Sequence, residues 1–177
     1  MNKSKIKNDL SQKYSKATIL IHWLTAVLII ALFPLGKYMS GISASEKMDL
    51  IKIHVILGSI VFVLTLIRSY LFFKSSRPEG IKTGSKINDK LAVWIHHAFY
   101  FLLIGISIAG IVTMMVGGYV DALQTGAADL IQSKEELMPL KAHGLLATIM
   151  ILLLVLHVIG VAKHYLITKE NTLKRIS

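Results

Sequence analysis

The residues of this sequence with the most chemical potential are histidines that lie inside long apolar stretches. The sequence has seven histidines and no cysteine, so thiolate metal sites and covalent C-x-x-C-H haem attachment are excluded. An imidazole inside a membrane-spanning helix is costly to desolvate and usually faces the interior of a helix bundle. Four histidines are placed to do so: His22, His54, His143 and His157.

The spacing of these histidines predicts two layers. His143 and His157 are fourteen residues apart, which in a helix is a rotation of roughly 1400°, about 40° short of four turns, and a rise of roughly 21 Å. They therefore share one face of a helix at two depths. With neighbouring stretches running in opposite directions, His54 lies at the depth of His143 and His22 at the depth of His157.

Two imidazoles at one depth suit a planar macrocycle bound between facing helices. Gly36 would leave room at the His54 level, and Arg68 would reach the propionates at the His22 level. A haem iron with both axial positions filled suits electron transfer better than oxygen binding. Zinc prefers four ligands, so two imidazoles without cysteine or carboxylate make a poor zinc site.

Other roles stay open for single histidines. Any one of them could instead hydrogen-bond to a neighbouring helix. His96 and His97 are either interfacial residues or part of the same chemistry. His164 follows His157 by seven residues and therefore lies on nearly the same face, where it lines a pocket near the membrane surface or belongs to a solvated tail.

Two lysines stand close to the predicted ligands. Lys52 and Lys141 each precede a histidine of the same layer, His54 and His143, by two residues. They are either interfacial lysines whose charged ends reach towards water or a positive rim that attracts a small anion.

Four apolar stretches must position these side chains. They cover residues 17–39, 50–73, 91–116 and 138–166, and each is near or above the roughly 20 residues that cross a bilayer. With 177 residues, of which 54% are hydrophobic, little chain is left for a soluble domain. The sequence predicts an all-α protein, a transmembrane four-helix bundle forming a single membrane domain over residues 1–177.

The charge distribution indicates the orientation. Of the 20 lysine and arginine residues, fifteen lie in the N-terminal tail, the connection after the second stretch and the C-terminal tail, counting Arg68 and Lys163 near the ends of the second and fourth stretches. Because basic residues favour the cytoplasmic side, both termini are predicted to be cytoplasmic. The formal charge of +10 then reflects topology and attraction to anionic lipid. Nucleic-acid binding is not expected, since it would need a basic soluble face.

The start of the fourth stretch has two explanations. Ser133 and Glu136 fit a capping box, whereas Pro139 suits the first turn of a helix that starts near Met138. The sequence leaves this choice open.

The sequence resembles the bacterial cytochrome b561 family, specifically its small stand-alone members with two haems, over nearly its whole length. The resemblance rests on the order and spacing of short pieces in all four stretches: Tyr14-Ser15, Ile21-His22-Trp23-Leu24, Ile53-His54-Val55, Gly58, Arg68, His96, Tyr100, Gly110, Lys141-Ala142-His143, Leu156-His157, Lys163-His164-Tyr165 and Asn171-Thr172-Leu173-Lys174-Arg175.

This resemblance implies a multi-pass protein of the bacterial inner membrane that holds two b-type haems. The axial ligands would be the four histidines of the two layers. The best-understood stand-alone members look like superoxide oxidases, which pass electrons from periplasmic superoxide to ubiquinone. By that likeness superoxide would approach Lys52 and Lys141, and quinone would be reduced near His164, with Arg68 as the second candidate. Gly36 and Gly58 complete the expected cofactor-binding set.

Two other functions are consistent with the same residues. One keeps the haems but makes the chain the membrane anchor and electron conduit of a periplasmic dehydrogenase or hydrogenase. The other is a membrane protein without haem, either a metal transporter or a structural bundle.

Overall fold

Four long helices form the bundle in this computed structural model, which describes residues 8–74, 78–133 and 135–177. The long helices are α1 (Lys16–Met39), α2 (Met48–Lys74), α3 (Lys86–Val116) and α5 (Met138–Thr168). A short helix, α4 (Tyr119–Thr125), and the 3-10 turns Ala128–Leu130 and Thr172–Arg175 complete the structure. No strand occurs in these ranges, so the predicted all-α four-helix bundle is confirmed.

All four long helices are long and apolar enough to cross a membrane. Within their most apolar 18-residue windows, only 6% to 17% of the residues are buried inside the bundle. Large apolar side chains such as Phe73 and Phe101 are about four-fifths exposed. In water so much exposed apolar surface would be strongly unfavourable, so the outer faces of the helices are surfaces for lipid contact.

The helices associate as two pairs. α1 packs mainly on α2, and α3 packs mainly on α5, whereas α1 and α5 touch at few points. We call the boundary between the α1–α2 pair and the α3–α5 pair the seam. Because cofactors in helix bundles are held between facing helices, the seam is where a bound group would have the most room.

The two ends of the bundle differ in what they contain. The connections from α1 to α2 and from α3 to α5 lie at one end, which we call the loop end. Residues 8–15, residues 78–85 of the connection from α2 to α3 and the C-terminal tail meet at the other, the terminal end, where the Asn8 side chain donates to the Lys82 carbonyl. Five of the basic residues counted for orientation lie outside the described residues: Lys3, Lys5, Lys7, Arg77 and Lys134.

The starts of α3 and α5 are set by local chemistry. α3 begins at Lys86, before the predicted apolar stretch, because the Ser85 side chain caps it by accepting from the Asn88 amide. α5 begins at Met138 with Pro139 in its first turn and without a side-chain cap. The proline explanation is therefore confirmed and the capping box is wrong, since the missing N–H of proline costs nothing in a first turn.

A glycine pair holds the loop-end connection against the bundle. Gly118 has φ +73°, a conformation that side-chain-bearing residues disfavour, and a Cβ there would collide with the Leu130 carbonyl oxygen. The Gln132 amide donates to the Gly117 carbonyl at 3.1 Å. Below this turn Ile51, Tyr119 and Leu137 form a buried apolar cluster. The connection therefore covers the loop end of the bundle.

The fit of Gly118 can be tested against Gly126, which has a similar φ of +78° but open space around a new Cβ. Gly126→Ala should cost only the backbone conformation, about 1 kcal/mol. Gly118→Ala should cost about 1–3 kcal/mol more, as overpacking does. Thermal unfolding in detergent, followed by circular dichroism, measures both, and equal losses would contradict the close approach to Leu130.

Candidate functional site

The layer at the loop end is a pair of histidines that meet across the seam. His54 lies on α2 and His143 on α5, and the centroids of their rings are 6.0 Å apart with the ring planes at 67°. Bonds from a metal to imidazole nitrogen are about 2 Å long, so two rings that share one metal have centroids roughly 6 Å apart. The spacing of this loop-end pair therefore fits two axial ligands of one iron.

Each of these two rings has a nitrogen without a hydrogen-bond partner among the described residues. His143 Nδ1 lies 2.9 Å from the carbonyl oxygen of Ile106. Because a carbonyl only accepts, Nδ1 carries the proton and Nε2 keeps the lone pair, which is the usual arrangement of a metal-bound histidine. His54 Nδ1 is buried and has no hydrogen-bond partner among the described residues. The pair therefore has ring nitrogens available to a ligand.

Glycines keep bulk away from the loop-end pair. A Cβ at Gly36 would lie 3.4 Å from the His54 ring, and one at Gly110 would lie 3.2 Å from the His143 ring. At Gly58, one turn after His54, a Cβ would meet nothing within 4 Å. The predicted proximity of Gly36 to this layer is present, and Gly110 adds a second close contact on the opposite side of the seam.

The layer at the terminal end contains more histidines than the sequence predicted. The His157 ring meets His96 edge-on at 5.4 Å between centroids and Phe99 at 5.5 Å. His22 packs edge-on against Trp23 at 5.3 Å. His22 also lies within electrostatic range of three groups: Arg68, His96 and His157. We call His22, His96 and His157 the terminal-end histidine group.

The position of each helix distinguishes the members of this group. His96 and His157 belong to the same helix pair, α3 and α5, whereas His22 is on α1 and faces them across the seam. His96 Nδ1 is 2.6 Å from the Ala92 carbonyl, which gives His96 a local partner. His97 does the same with Val93 at 2.9 Å and packs against Phe72, at 5.8 Å between ring centroids.

Two polar residues lie near the terminal-end histidine group: Arg68, which contacts an aromatic ring, and Thr25, whose hydroxyl is unpaired among the described residues. The Arg68 guanidinium lies over the Tyr100 ring, 5.6 Å from its centroid, a cation–π contact. Thr25 is one turn after His22, only 3% exposed, and its hydroxyl has no hydrogen-bond partner among the described residues. Buried hydroxyls are almost always paired. Thr25 is therefore a candidate residue for contact with a bound group, and the sequence pattern did not reveal it.

An apolar cluster separates the two layers. Met150 lies seven residues from both His143 and His157 and is 2% exposed. It packs with Val61 of α2 and Leu103 of α3, and apolar side chains of α1 pack against them. A buried apolar cluster therefore lies between the two histidine layers.

The two lysines at the loop end have different surroundings. Lys52 Nζ forms an ion pair with the Asp49 carboxylate at 2.9 Å. Lys141 is exposed, and no described acidic side chain lies within ion-pair distance of it. Lys141 therefore contributes more to the positive charge at the loop end than Lys52 does, because Asp49 neutralises part of the Lys52 charge.

At the terminal end His164 belongs to a polar cluster. His164 Nε2 donates to Glu170 at 3.2 Å, and both side chains are largely buried. Glu170 also accepts from the amide nitrogens of Asn8, at 2.7 and 3.1 Å. The side-chain hydrogen bond from Asn8 is the main cause that lowers the pKa of Glu170 below its ordinary 4.5, so Glu170 is ionised at neutral pH. His164 was predictable from its spacing to His157, whereas no pattern in the sequence marks Glu170.

The fold and the site define a class: a four-helix membrane protein with histidines in two layers across a seam. The family model for prokaryotic cytochrome b561 matches residues 13–177. A relative, cytochrome b561 homolog 2 of Escherichia coli strain K12, is 27% identical over an alignment of 174 residues that covers 93% of this chain and 91% of that protein.

The chain belongs to the prokaryotic cytochrome b561 family. It is therefore a membrane b-type cytochrome of electron transfer, and its membership implies b-type haem as the cofactor. The geometry of the loop-end pair is compatible with a b-type haem. The ring spacing, the unpaired ring nitrogens and the flanking glycines all fit such a group.

The close contact at Gly110 gives a direct test of the loop-end pair. Gly110→Ala places a methyl group 3.2 Å from the His143 ring, which displaces the ring and its bond to Ile106. We expect haem retention to weaken about tenfold, as it does when groups that orient a metal ligand are disturbed. A haem titration of the purified protein measures this.

Gly105→Ala is the matched control for Gly110→Ala. It lies on the same helix and meets only a terminal methyl of Leu146 at 3.4 Å. If both variants bind haem as the unchanged protein does, the loop-end pair is not a haem site.

Proposed function

We propose that the chain is a single membrane domain holding two b-type haems, one in each histidine layer, that moves electrons across the membrane. His54 and His143 are the axial ligands at the loop end, and His22 and His157 are those at the terminal end. The observation that carries the proposal is the pairing of His54 with His143 across the seam, with 6.0 Å between ring centroids.

We assign His22 and His157 as the terminal-end pair because they lie on opposite helix pairs, as His54 and His143 do. His96 also lies opposite His22, but His157 shares one face of α5 with His143, fourteen residues away. Arg68 is the proposed partner of the propionates, since its charge lies near His22. Gly36 and Gly58 leave space beside His54 for the macrocycle. A b-type haem with two imidazole ligands supplies one-electron transfer.

We assign superoxide as the electron donor and ubiquinone as the acceptor, because the sequence resembles the stand-alone members that look like superoxide oxidases. Two superoxide ions lose one electron each and leave as oxygen. Ubiquinone takes up both electrons and two protons to give ubiquinol. The protein is then a superoxide:ubiquinone oxidoreductase of the bacterial inner membrane.

The orientation follows from the basic residues. In the sequence, fifteen of the 20 lysines and arginines lie in or next to the N-terminal tail, the connection after the second stretch and the C-terminal tail, and basic segments stay cytoplasmic. The terminal end with both termini is therefore cytoplasmic, and the loop end is periplasmic. Superoxide meets the loop end, where Lys141 and Lys52 attract an anion.

His164 and Glu170 are the proposed residues of the quinone side. Quinone reduction consumes protons, and a histidine held by a carboxylate is a common proton carrier. The His164–Glu170 pair lies at the terminal end, which is the proposed cytoplasmic end. His164 is on nearly the same face of α5 as His157. Protons for ubiquinol are then drawn from the cytoplasm while the electrons come from the periplasmic side.

The donor is tested by mixing superoxide with quinone-loaded protein in a stopped-flow instrument. We expect superoxide to decay faster than by spontaneous dismutation, with ubiquinol formed at half the amount of superoxide consumed. The double variant Lys52→Glu with Lys141→Glu should slow this by about tenfold at low salt and little at high salt, since salt screens steering.

Lys174→Glu makes the matched charge reversal at the terminal end and should leave the superoxide rate unchanged. Decay no faster than spontaneous dismutation would rule out superoxide as the donor. Unchanged activity of the double lysine variant at low salt would rule out only the steering.

The quinone side is tested with Glu170→Gln, which removes the charge that holds His164. We expect ubiquinol formation to slow by about a hundredfold, at the lower end of general acid–base effects, with the haem content unchanged. Glu79→Gln is the control, because that exposed carboxylate is on the same end of the bundle. Equal rates in the two variants would contradict the proton role.

A further inference from the structure

The C-terminal segment is fastened to the bundle by a buried arginine. Arg175 is only 5% exposed. Its Nε donates to the Gln12 carbonyl at 3.1 Å, and its Nη1 donates to the Glu79 carbonyl at 2.8 Å. One guanidinium therefore joins three separate parts of the chain: the C-terminal tail, the segment before α1 and the connection from α2 to α3.

Backbone and side-chain bonds continue this attachment to the end of the chain. The Tyr14 amide donates to the Arg175 carbonyl at 3.0 Å. The Lys13 ammonium donates to the Ser177 backbone oxygen at 3.0 Å. The Trp23 indole Nε1 donates to the Ile176 carbonyl at 2.8 Å. We call residues 172–177, whose last three residues make these bonds, the clasp.

The bond to Trp23 connects the clasp to the histidine layer. Trp23 follows His22 directly, and the two rings are edge-on with 5.3 Å between centroids. The indole is nearly half exposed, so packing alone does not fix it. The hydrogen bond to Ile176 fixes one edge of the indole, and the indole in turn limits the rotation of the His22 ring.

We propose that the clasp, anchored by Arg175, positions the axial ligand His22 through Trp23. Arg175 and Trp23 are positioning residues, which set the orientation of the His22 imidazole without contacting the iron. The proposal rests on the assignment of His22 as a haem ligand in the proposed function. It gives the C-terminal tail a role in the terminal-end haem and none in the loop-end haem.

The test is low-spin haem electron paramagnetic resonance of full-length protein, together with the haem content per chain. His22→Ala identifies which signal belongs to the terminal-end haem. We expect Arg175→Ala to shift that signal and to weaken retention of that haem by about tenfold, the range seen when groups that orient a ligand are removed. The loop-end signal should stay unchanged.

Three further variants make the result specific. Trp23→Phe keeps an aromatic ring but lacks the indole N–H that bonds to Ile176. It should therefore shift the same signal even if Arg175→Ala does not fold. Arg175→Lys keeps one donor and should restore part of the signal. Lys174→Ala, an exposed neighbour, should change neither signal.

The outcomes separate this proposal from the proposed function. Two haem signals that stay unchanged in both Arg175→Ala and Trp23→Phe would overturn the clasp and leave the haem assignment standing. A shift of both haem signals together would also overturn it, because it would indicate a general loosening of the bundle. Unchanged protein that binds no haem would overturn both proposals.

Discussion

An imidazole ring in an apolar bundle needs a partner for each of its nitrogens, because an unpaired polar atom away from water is costly. In the loop-end pair the chain meets only part of this need. His143 gives one nitrogen to the Ile106 carbonyl, and His54 Nδ1 has no described partner. The two rings lie on opposite sides of the seam between the helix pairs, where a bound group would be in reach of both. The glycines beside the rings, and the weak contact of α1 with α5, follow from the same requirement for space.

The rest of the bundle separates two chemically different ends. Met150, Val61 and Leu103 form a buried apolar cluster between the two layers, and apolar side chains offer no groups that relay protons along the route proposed for electrons. Charged groups lie at the two ends of the bundle, on either side of this apolar cluster. At the terminal end Glu170 joins His164 to Asn8, and Arg175 joins the tail to two other segments. These contacts order the polar segments around the helix ends, and the bundle itself needs few internal polar bonds.

The sequence was sufficient for the features that depend on hydropathy and helical spacing. The four helices were predictable because apolar runs of bilayer length have few alternatives, and the histidine layers because fourteen residues return to nearly the same face. The sequence missed both a contact between distant segments, Asn8 with Glu170, and a local one, the ion pair of Asp49 with Lys52. Glu170, Asp49 and Thr25 are ordinary polar residues by composition, and only the fold shows what they face. The relation of His96 to His157 was also hidden, since it depends on how α3 packs on α5.

The central claim is that each of two histidine layers holds one b-type haem. The most direct measurement is the dithionite-reduced minus air-oxidised absorption spectrum of the purified protein, with a pyridine haemochrome assay for haem per chain. Two b-type haems per chain with low-spin bands are the predicted result. One haem would show that one layer is wrongly assigned. No haem, in protein produced with ample haem supply, would contradict the account and return the histidines to structural or metal-transport roles.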